Sequence, residues 1–347
     1  MNILSKAMRM LGKYALLSVL LIGMSSTHSS AQPVKRHDGA VIAVTAAAQM
    51  GRVRRDTLVV NGTTREFSYY VPSGAQGAAL PVVVYLHGHG DNMRHILGRG
   101  LIASASSKWM DVAERERFLV FYPLGLNGEG RRAKTGWNDC RGDVMGNPRA
   151  DDVEFVRRLV DFAAEEARGD RSRVYVTGMS NGGHMTMRVG IEMSQVVAAV
   201  APVAALLPTS SQCAQPSRPV PILMMHGTAD PLAPFVGGLM AGGRGEVMSA
   251  RETVQTWLRW NGLANVAETA RVLPDTSPSD NSTIIVRARQ SSPDGNAVIA
   301  YEIRGAGHTE PSRAAKVGRF LKRVLGNQNN DIEMAETIWE FFKTRSR

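Results

Sequence analysis

The chain has 347 residues, 44% of them hydrophobic and 21% charged, a balance that excludes a disordered or fibrous chain and leaves room for one large core. Its formal net charge of +10 comes from residues scattered through stretches such as RVRR, RGDRSR and KVGRFLKR, without interleaved aromatics. That pattern speaks against nucleic-acid binding and for a solvated basic surface, with at most weak attraction to an anionic wall.

The first element is a leader. Lys6, Arg9 and Lys13 precede the apolar run YALLSVLLIGM, and SSTHSSA supplies small residues around a cleavage point after Ala31, so residues 1–31 read as a signal peptide. The run falls short of the roughly 20 residues a membrane span needs. We therefore expect an exported protein, secreted or periplasmic, with no stable membrane anchor once the leader is cut; a retained anchor is the alternative. The leader holds no cysteine that could carry a lipid, and its loss takes away three positive charges, leaving +7. Residues 32–50 read as a flexible segment and residues 51–347 as a single domain.

Within that domain, DTLVVNGTTREFSYYVP reads as two antiparallel strands about the Asn61-Gly62 turn. LPVVVYLHG, FLVFYPLG, RVYVTGMS, VAAVAPVAAL and VPILMMHG are apolar runs without alternation, as expected of parallel strands buried on both faces. Helical patterns lie between and after them in WMDVAERER, DDVEFVRRLVDFAAEEARG, GGHMTMRVGIEM and SARETVQTWLRWNG. TIIVRARQ, AVIAYEIRG and a final helix in DIEMAETIWEFFKTR close an α/β fold with a doubly wound, mostly parallel sheet. One connection is long: residues 125–150 are glycine-rich and hold Trp137 and Cys140, and loops of this length are usually functional or disordered. Cys140 and the other cysteine, Cys213, either pair in an oxidising compartment or stay as two buried thiols. A bridge across that separation would constrain the unfolded chain by about 4 kcal/mol on a loop-entropy model.

Gly178 to Gly182, GMSNG, follows a predicted strand and opens a predicted helix, the setting of a nucleophile elbow that projects a serine oxygen from a strained turn. Ser180 needs a base to take its proton and an acid to orient that base, supplied on this kind of sheet in the order serine, acid, histidine. Asp230, in HGTADP, and His308, in GAGHTEP, follow strands in that order. His28 leaves with the leader, His184 sits just inside the elbow helix, and His226 lies on the strand ahead of the acid, which leaves His308 as the base. The oxyanion hole needs two backbone N–H donors, expected from Asn181 and from His89 in YLHGHGDN, with the His87 and His89 rings fixing the loop.

YLHGHGDN, GMSNGGHMT, HGTADPLAPF and GAGHTEP, with REFSYYVPSG, GWNDC, ADDVEFVRRLVD and AETIWEFF, resemble the secreted serine esterases that include polyhydroxybutyrate depolymerases, feruloyl esterases and acetylxylan esterases. The resemblance spans nearly the whole mature chain. It implies the α/β-hydrolase fold, a Ser180, Asp230, His308 triad, a Cys140 to Cys213 disulfide and no cofactor or metal. The implied activity is carboxylic-ester hydrolysis on polymeric or oligomeric polyester, with feruloyl or acetylated polysaccharide as the alternative. One departure stands out: relatives often carry an aromatic where this chain has Glu310, in His308-Thr309-Glu310-Pro311. A carboxylate replaces a stacking surface, leaving Trp137 as the expected aromatic substrate contact. Two remoter readings are a zinc hydrolase using HGHGDN, which lacks later ligands, and a non-catalytic polymer-binding module.

Overall fold

The computed structural model describes residues 51–347 apart from residue 76, residues 130–133 and residues 143 and 145. The expected leader, its cleavage point and the segment to residue 50 lie outside the described residues.

The fold begins with the expected hairpin. β1 (Arg52–Val60) and β2 (Thr63–Val71) pair antiparallel. Asn61 and Gly62 take φ of 47° and 77°, the consecutive left-handed conformations a two-residue hairpin turn needs. β1 starts at Arg52, ahead of the apolar DTLVV run: it is the edge strand, and of its leading RVRR residues Arg52 and Arg55 are exposed while Val53 packs against the core.

There follow β3 (Leu80–Leu86), α1 (Met93–Ile96), α2 (Lys108–Glu116), β4 (Leu119–Pro123), β5 (Leu126–Asn127), β6 (Thr135–Gly136), α3 (Asp152–Glu166), β7 (Gly169–Met179), α4 (Asn181–Glu192), β8 (Ala199–Val203) and β9 (Ile222–Gly227). The chain then forms β10 (Gly238–Leu239), β11 (Glu246–Val247), α5 (Ala250–Trp260), β12 (Thr269–Val272), β13 (Thr283–Gln290), β14 (Ala297–Arg304), α6 (Arg319–Leu325) and α7 (Met334–Phe342). Ten strands make one sheet in the order β1-β2-β4-β3-β7-β8-β9-β14-β13-β12. From β4 to β14 neighbours run parallel, and antiparallel strands finish both edges. This is the α/β-hydrolase fold, with the N-terminal hairpin as one edge.

The five apolar runs became β3, β4, β7, β8 and β9 because each is covered on both faces. In β3, Val82 and Val84 join Phe155, Leu159, Met185 and Trp257 of α3, α4 and α5. Val83 and Tyr85 point the other way, into a cluster with Trp109, Val112, Ile338 and Phe342 of α2 and α7. Local chemistry sets the helix starts: Asp151 caps α3 by accepting from Glu154 N–H, and Ser249 with Glu252 forms a capping box at α5. Besides the shortest elements, two gave no sequence signal. β12 is exposed throughout and α6 has no buried residue, so neither carries the periodicity a buried face imposes.

The winding brings the carboxyl ends of β3, β7, β9 and β14 to one edge of the sheet, where ligands bind in open α/β sheets. Their following loops carry His89, Ser180, Asp230 and His308.

Candidate active site

Ser180 stands between β7 and α4 with φ 57° and ψ −119°, a left-handed conformation that a serine adopts only under constraint. Crowding of main chain supplies the constraint. A Cβ on Gly182 would lie 2.0 Å from the Leu86 carbonyl oxygen, and one on Gly178 would lie 2.5 Å from the same atom. The Gly-x-Ser-x-Gly spacing therefore lets β3, β7 and α4 close up behind the serine. Ser180 N–H donates to Val203 O (2.9 Å), tying the turn to β8.

The three residues expected to cooperate form one hydrogen-bonded chain. His308 Nε2 meets the Ser180 hydroxyl at 2.8 Å, and His308 Nδ1 meets Asp230 Oδ2 at 2.7 Å. The other carboxylate oxygen of Asp230 accepts the N–H groups of Leu232 and Ala233, both at 2.8 Å. Burial would raise the Asp230 carboxyl, but the hydrogen bond and charge of His308, with His226 and the Ala233 N–H, outweigh it and hold the group below the usual carboxylate range. His226 does not compete as a base, because its Nε2–H donates to Ala233 O (2.9 Å) and burial lowers its pKa. His184 is buried on α4 with Nδ1 against Ser180 O (2.8 Å), its pKa lowered to about 3 by burial and then by Arg141.

Across from the base lies the loop after β3. Gly88 abuts the nucleophile: a Cβ there would sit 3.7 Å from Met179 O and 3.8 Å from Ser180 Cβ. The N–H groups of His89 and Asn181 find no hydrogen-bond acceptor among the described residues, as donors awaiting a developing oxyanion require. Side chains hold this loop. His87 donates Nδ1–H to Gly88 O (2.7 Å) and accepts Gly125 N–H on Nε2 (2.9 Å), while Asp91 accepts from His95 (2.7 Å). The His87 imidazole and the Asp91 carboxylate of HGHGDN are thus committed to loop geometry, while His89 Nδ1 is buried without a hydrogen-bond partner among the described residues.

Trp137 requires a correction. Expected as an exposed aromatic contact, it is fully buried. Its indole N–H donates to His87 O (2.9 Å), its ring lies 4.9 Å from the His87 ring, and its backbone N–H donates to Asn181 Oδ1 (2.7 Å). The residue braces the loop after β3 from behind, with no surface open to solvent. Cys140 and Cys213 do form a disulfide, with Cα atoms 5.3 Å apart.

Around these cysteines runs a buried network that the sequence did not disclose. Asn181 Nδ2 donates to Asp139 Oδ2 (2.7 Å), and Arg141 pairs with both oxygens of Asp139, at 2.9 and 2.6 Å. Burial would raise the Asp139 carboxyl, yet Arg141 keeps it below its ordinary range. Asp152, whose carboxyl burial raises, binds Arg65 (2.6 Å) and Asn138 N–H (2.7 Å). Close acid and arginine in NDCRGD was the one local signal available.

Glu310 is not a bare carboxylate at the mouth. It accepts the Tyr85 hydroxyl at 2.6 Å, and burial pushes its carboxyl up to about 7. A cavity of about 510 Å³ lies elsewhere, between α5 and the sheet, lined by His226, Val254, Leu258, Arg287 and Ala300 rather than by the triad.

Comparison with known proteins places the chain among esterases. Residues 65–233 match the family described as Esterase PHB depolymerase. A protein of Nocardia uniformis subsp. tsuyamanensis named as an esterase, NocK, is 31% identical over 82% of this chain and 80% of its own length. Feruloyl esterase B of Piromyces equi is 28% identical over 69% of this chain and 41% of its own length. Poly(3-hydroxyalkanoate) depolymerase C of Paucimonas lemoignei is 27% identical over 47% of this chain and 37% of its own length. The chain thus spans less than half of these last two relatives.

Proposed function

This chain belongs to the esterase PHB depolymerase family, and from that premise we propose that it is a serine carboxylic-ester hydrolase of residues 51–347 working through an acyl-enzyme. The observation that carries the reading is the unbroken chain from Ser180 Oγ through His308 to Asp230, at 2.8 and 2.7 Å.

In this mechanism His308 Nε2 takes the Ser180 proton as Oγ attacks the ester carbonyl, and Asp230 holds the imidazole in the tautomer that leaves Nε2 free. The tetrahedral oxyanion is met by the N–H groups of His89 and Asn181. His308 then returns the proton to the departing alcohol. Water, deprotonated by the same nitrogen, releases the acid and restores Ser180.

Polyester or oligomeric hydroxyalkanoate esters are the proposed substrates. Burial of Trp137 withdraws the aromatic contact on which an aromatic acyl group would lean. Feruloyl or acetylated polysaccharide stays as the second reading, favoured by the similarity to a feruloyl esterase. Export, to the periplasm or beyond, is supported by the disulfide, a feature of oxidising compartments. No helix among the described residues is long and apolar enough to cross a membrane. The test is a panel of p-nitrophenyl acyl esters, methyl ferulate, acetylated xylan and hydroxybutyrate oligomers, run on wild type and Ser180→Ala. Highest turnover on hydroxybutyrate oligomers, lost in the variant, is the expected result.

A further inference from the structure

The wall beside the oxyanion loop carries positive charge that nothing described neutralises. Lys134, just before β6, lays its stem across Gly90: a Cβ on that glycine would sit 2.9 Å from Lys134 Cδ and 3.8 Å from its Nζ. Gly90 N–H donates to Thr135 O (2.7 Å), so the two loops are zipped together and the ammonium stays next to His89. Arg244 comes from the turn between β10 and β11, where its carbonyl accepts Arg141 Nη1–H (2.9 Å). Burial and the nearby Arg141 charge lower its guanidinium pKa. Among the described residues neither the Lys134 nor the Arg244 side chain meets a carboxylate.

That sets the two apart from their surroundings. Arg65 and Arg141, the buried arginines of the same region, are each matched to an aspartate at 2.6 Å. A partly desolvated guanidinium without a partner costs free energy, unless something that arrives later satisfies it. Both unmatched charges reach the oxyanion loop: the His89 ring is kept neutral, its pKa lowered to about 4 by burial first and then by Arg244, Lys134 and Arg141. On the other side of the loop, Asp91 is occupied by His95 and Glu310 by Tyr85, so the acids there do not cancel this wall.

We propose that Lys134 and Arg244 form a carboxylate-recognising wall, and that the preferred substrates are esters bearing a free carboxylate within a few bonds of the scissile carbonyl. The proposal rests on Ser180 being the nucleophile. An oligomeric hydroxyalkanoate ends in such a carboxylate, whereas an acetyl or feruloyl ester of a neutral sugar has none. Held by charge-assisted hydrogen bonds, the anion would register the ester over Ser180, and binding made this way is sensitive to salt.

The experiment compares specificity constants for two pairs, each normalised to its hydroxide hydrolysis rate. The 3-hydroxybutyrate dimer against its methyl ester places the carboxylate on the alcohol half. The p-nitrophenyl hemiester of succinate against p-nitrophenyl butyrate places it on the acyl half. We expect the charged member of at least one pair to be favoured by on the order of tenfold, about 1.4 kcal/mol. That preference should shrink as salt rises, fall several-fold in Lys134→Gln and in Arg244→Gln, and vanish in the double variant. Lys134 is exposed, so its variant tests the idea even if Arg244→Gln folds poorly. Equal constants within both pairs, or a preference that survives the double variant, overturn the proposal. Ser180→Ala separates the two layers: if it still hydrolyses the neutral esters, the nucleophile reading fails, whereas a Ser180-dependent enzyme blind to the carboxylate sinks this proposal alone.

Discussion

Two regions flank the same oxyanion site and are held there by opposite means. The elbow around Ser180 is fixed chiefly by backbone: Gly178 and Gly182 let the Leu86 carbonyl press against the turn, and Ser180, at a strained φ of 57°, ties its N–H to Val203 O, with the His184 ring set against its carbonyl. Among its described residues the connection of residues 125–150 forms the short β5 and β6 ribbon, and it is fixed largely by side chains. Asn181 grips it at Trp137 and Asp139, Arg141 neutralises Asp139, Asp152 receives Asn138, and Cys140 is bonded to Cys213. Reacting side chains on the first region are therefore expendable for folding, while bracing side chains on the second are not.

Removing the triad breaks the comparison on its chemical side and should have the largest effect. Ser180→Ala and His308→Ala should each cost on the order of 10⁴-fold or more in kcat, and Asp230→Asn somewhat less, since residues acting as one unit do not add. Thermal melting of Ser180→Ala should match wild type. A serine variant that unfolds instead would show the elbow to depend on its side chain after all.

The bracing region should respond the other way. Arg141→Met leaves Asp139 buried without its counter-charge, which typically costs about 3–5 kcal/mol of stability. Trp137→Ala should cost a similar amount, about 3–5 kcal/mol, through the cavity it opens. Because Trp137 stands behind the loop, its loss should lower turnover of small and bulky esters alike. Urea unfolding and specificity constants for acetate and feruloyl esters check both, and a selective loss of bulky substrates would put Trp137 back at the mouth. Reduction of the disulfide should destabilise by about 4 kcal/mol on the loop-entropy model, read by melting with and without reductant alongside a free-thiol count.

The smallest effect concerns Glu310. Its carboxyl rises from 4.5 to about 7 in the folded chain. Below pH 4.5 it is protonated in both states; as pH climbs towards 7 the unfolded chain releases a proton that the folded chain keeps, so folding stability falls across that window. Glu310→Gln should remove this slope. Urea midpoints at several pH values decide it, and parallel wild-type and variant curves would place the carboxyl near its ordinary value.

The same division explains what could be read in advance. Strands β3, β4, β7, β8 and β9 were legible because burial on both faces leaves an apolar run. Ser180, Asp230 and His308 were legible because each sits in a short motif directly after a strand. The burial of Trp137 was not, since it depends on the carbonyl of His87, fifty positions away in sequence. The pairing of Asn181 with Asp139 was hidden for the same reason, and so was the want of a carboxylate beside Lys134 and Arg244 among the described residues, which is a statement about neighbours the linear order never displays.

The most direct measurement is covalent trapping. Wild type treated with diethyl p-nitrophenyl phosphate, a phosphorylating mimic of an ester, should lose activity in step with one adduct per chain, and peptide mapping should place that adduct on Ser180. Ser180→Ala should remain unlabelled and His308→Ala should label far more slowly. Full inactivation with the adduct on another residue, or undiminished ester hydrolysis by a chain fully labelled at Ser180, would contradict the account.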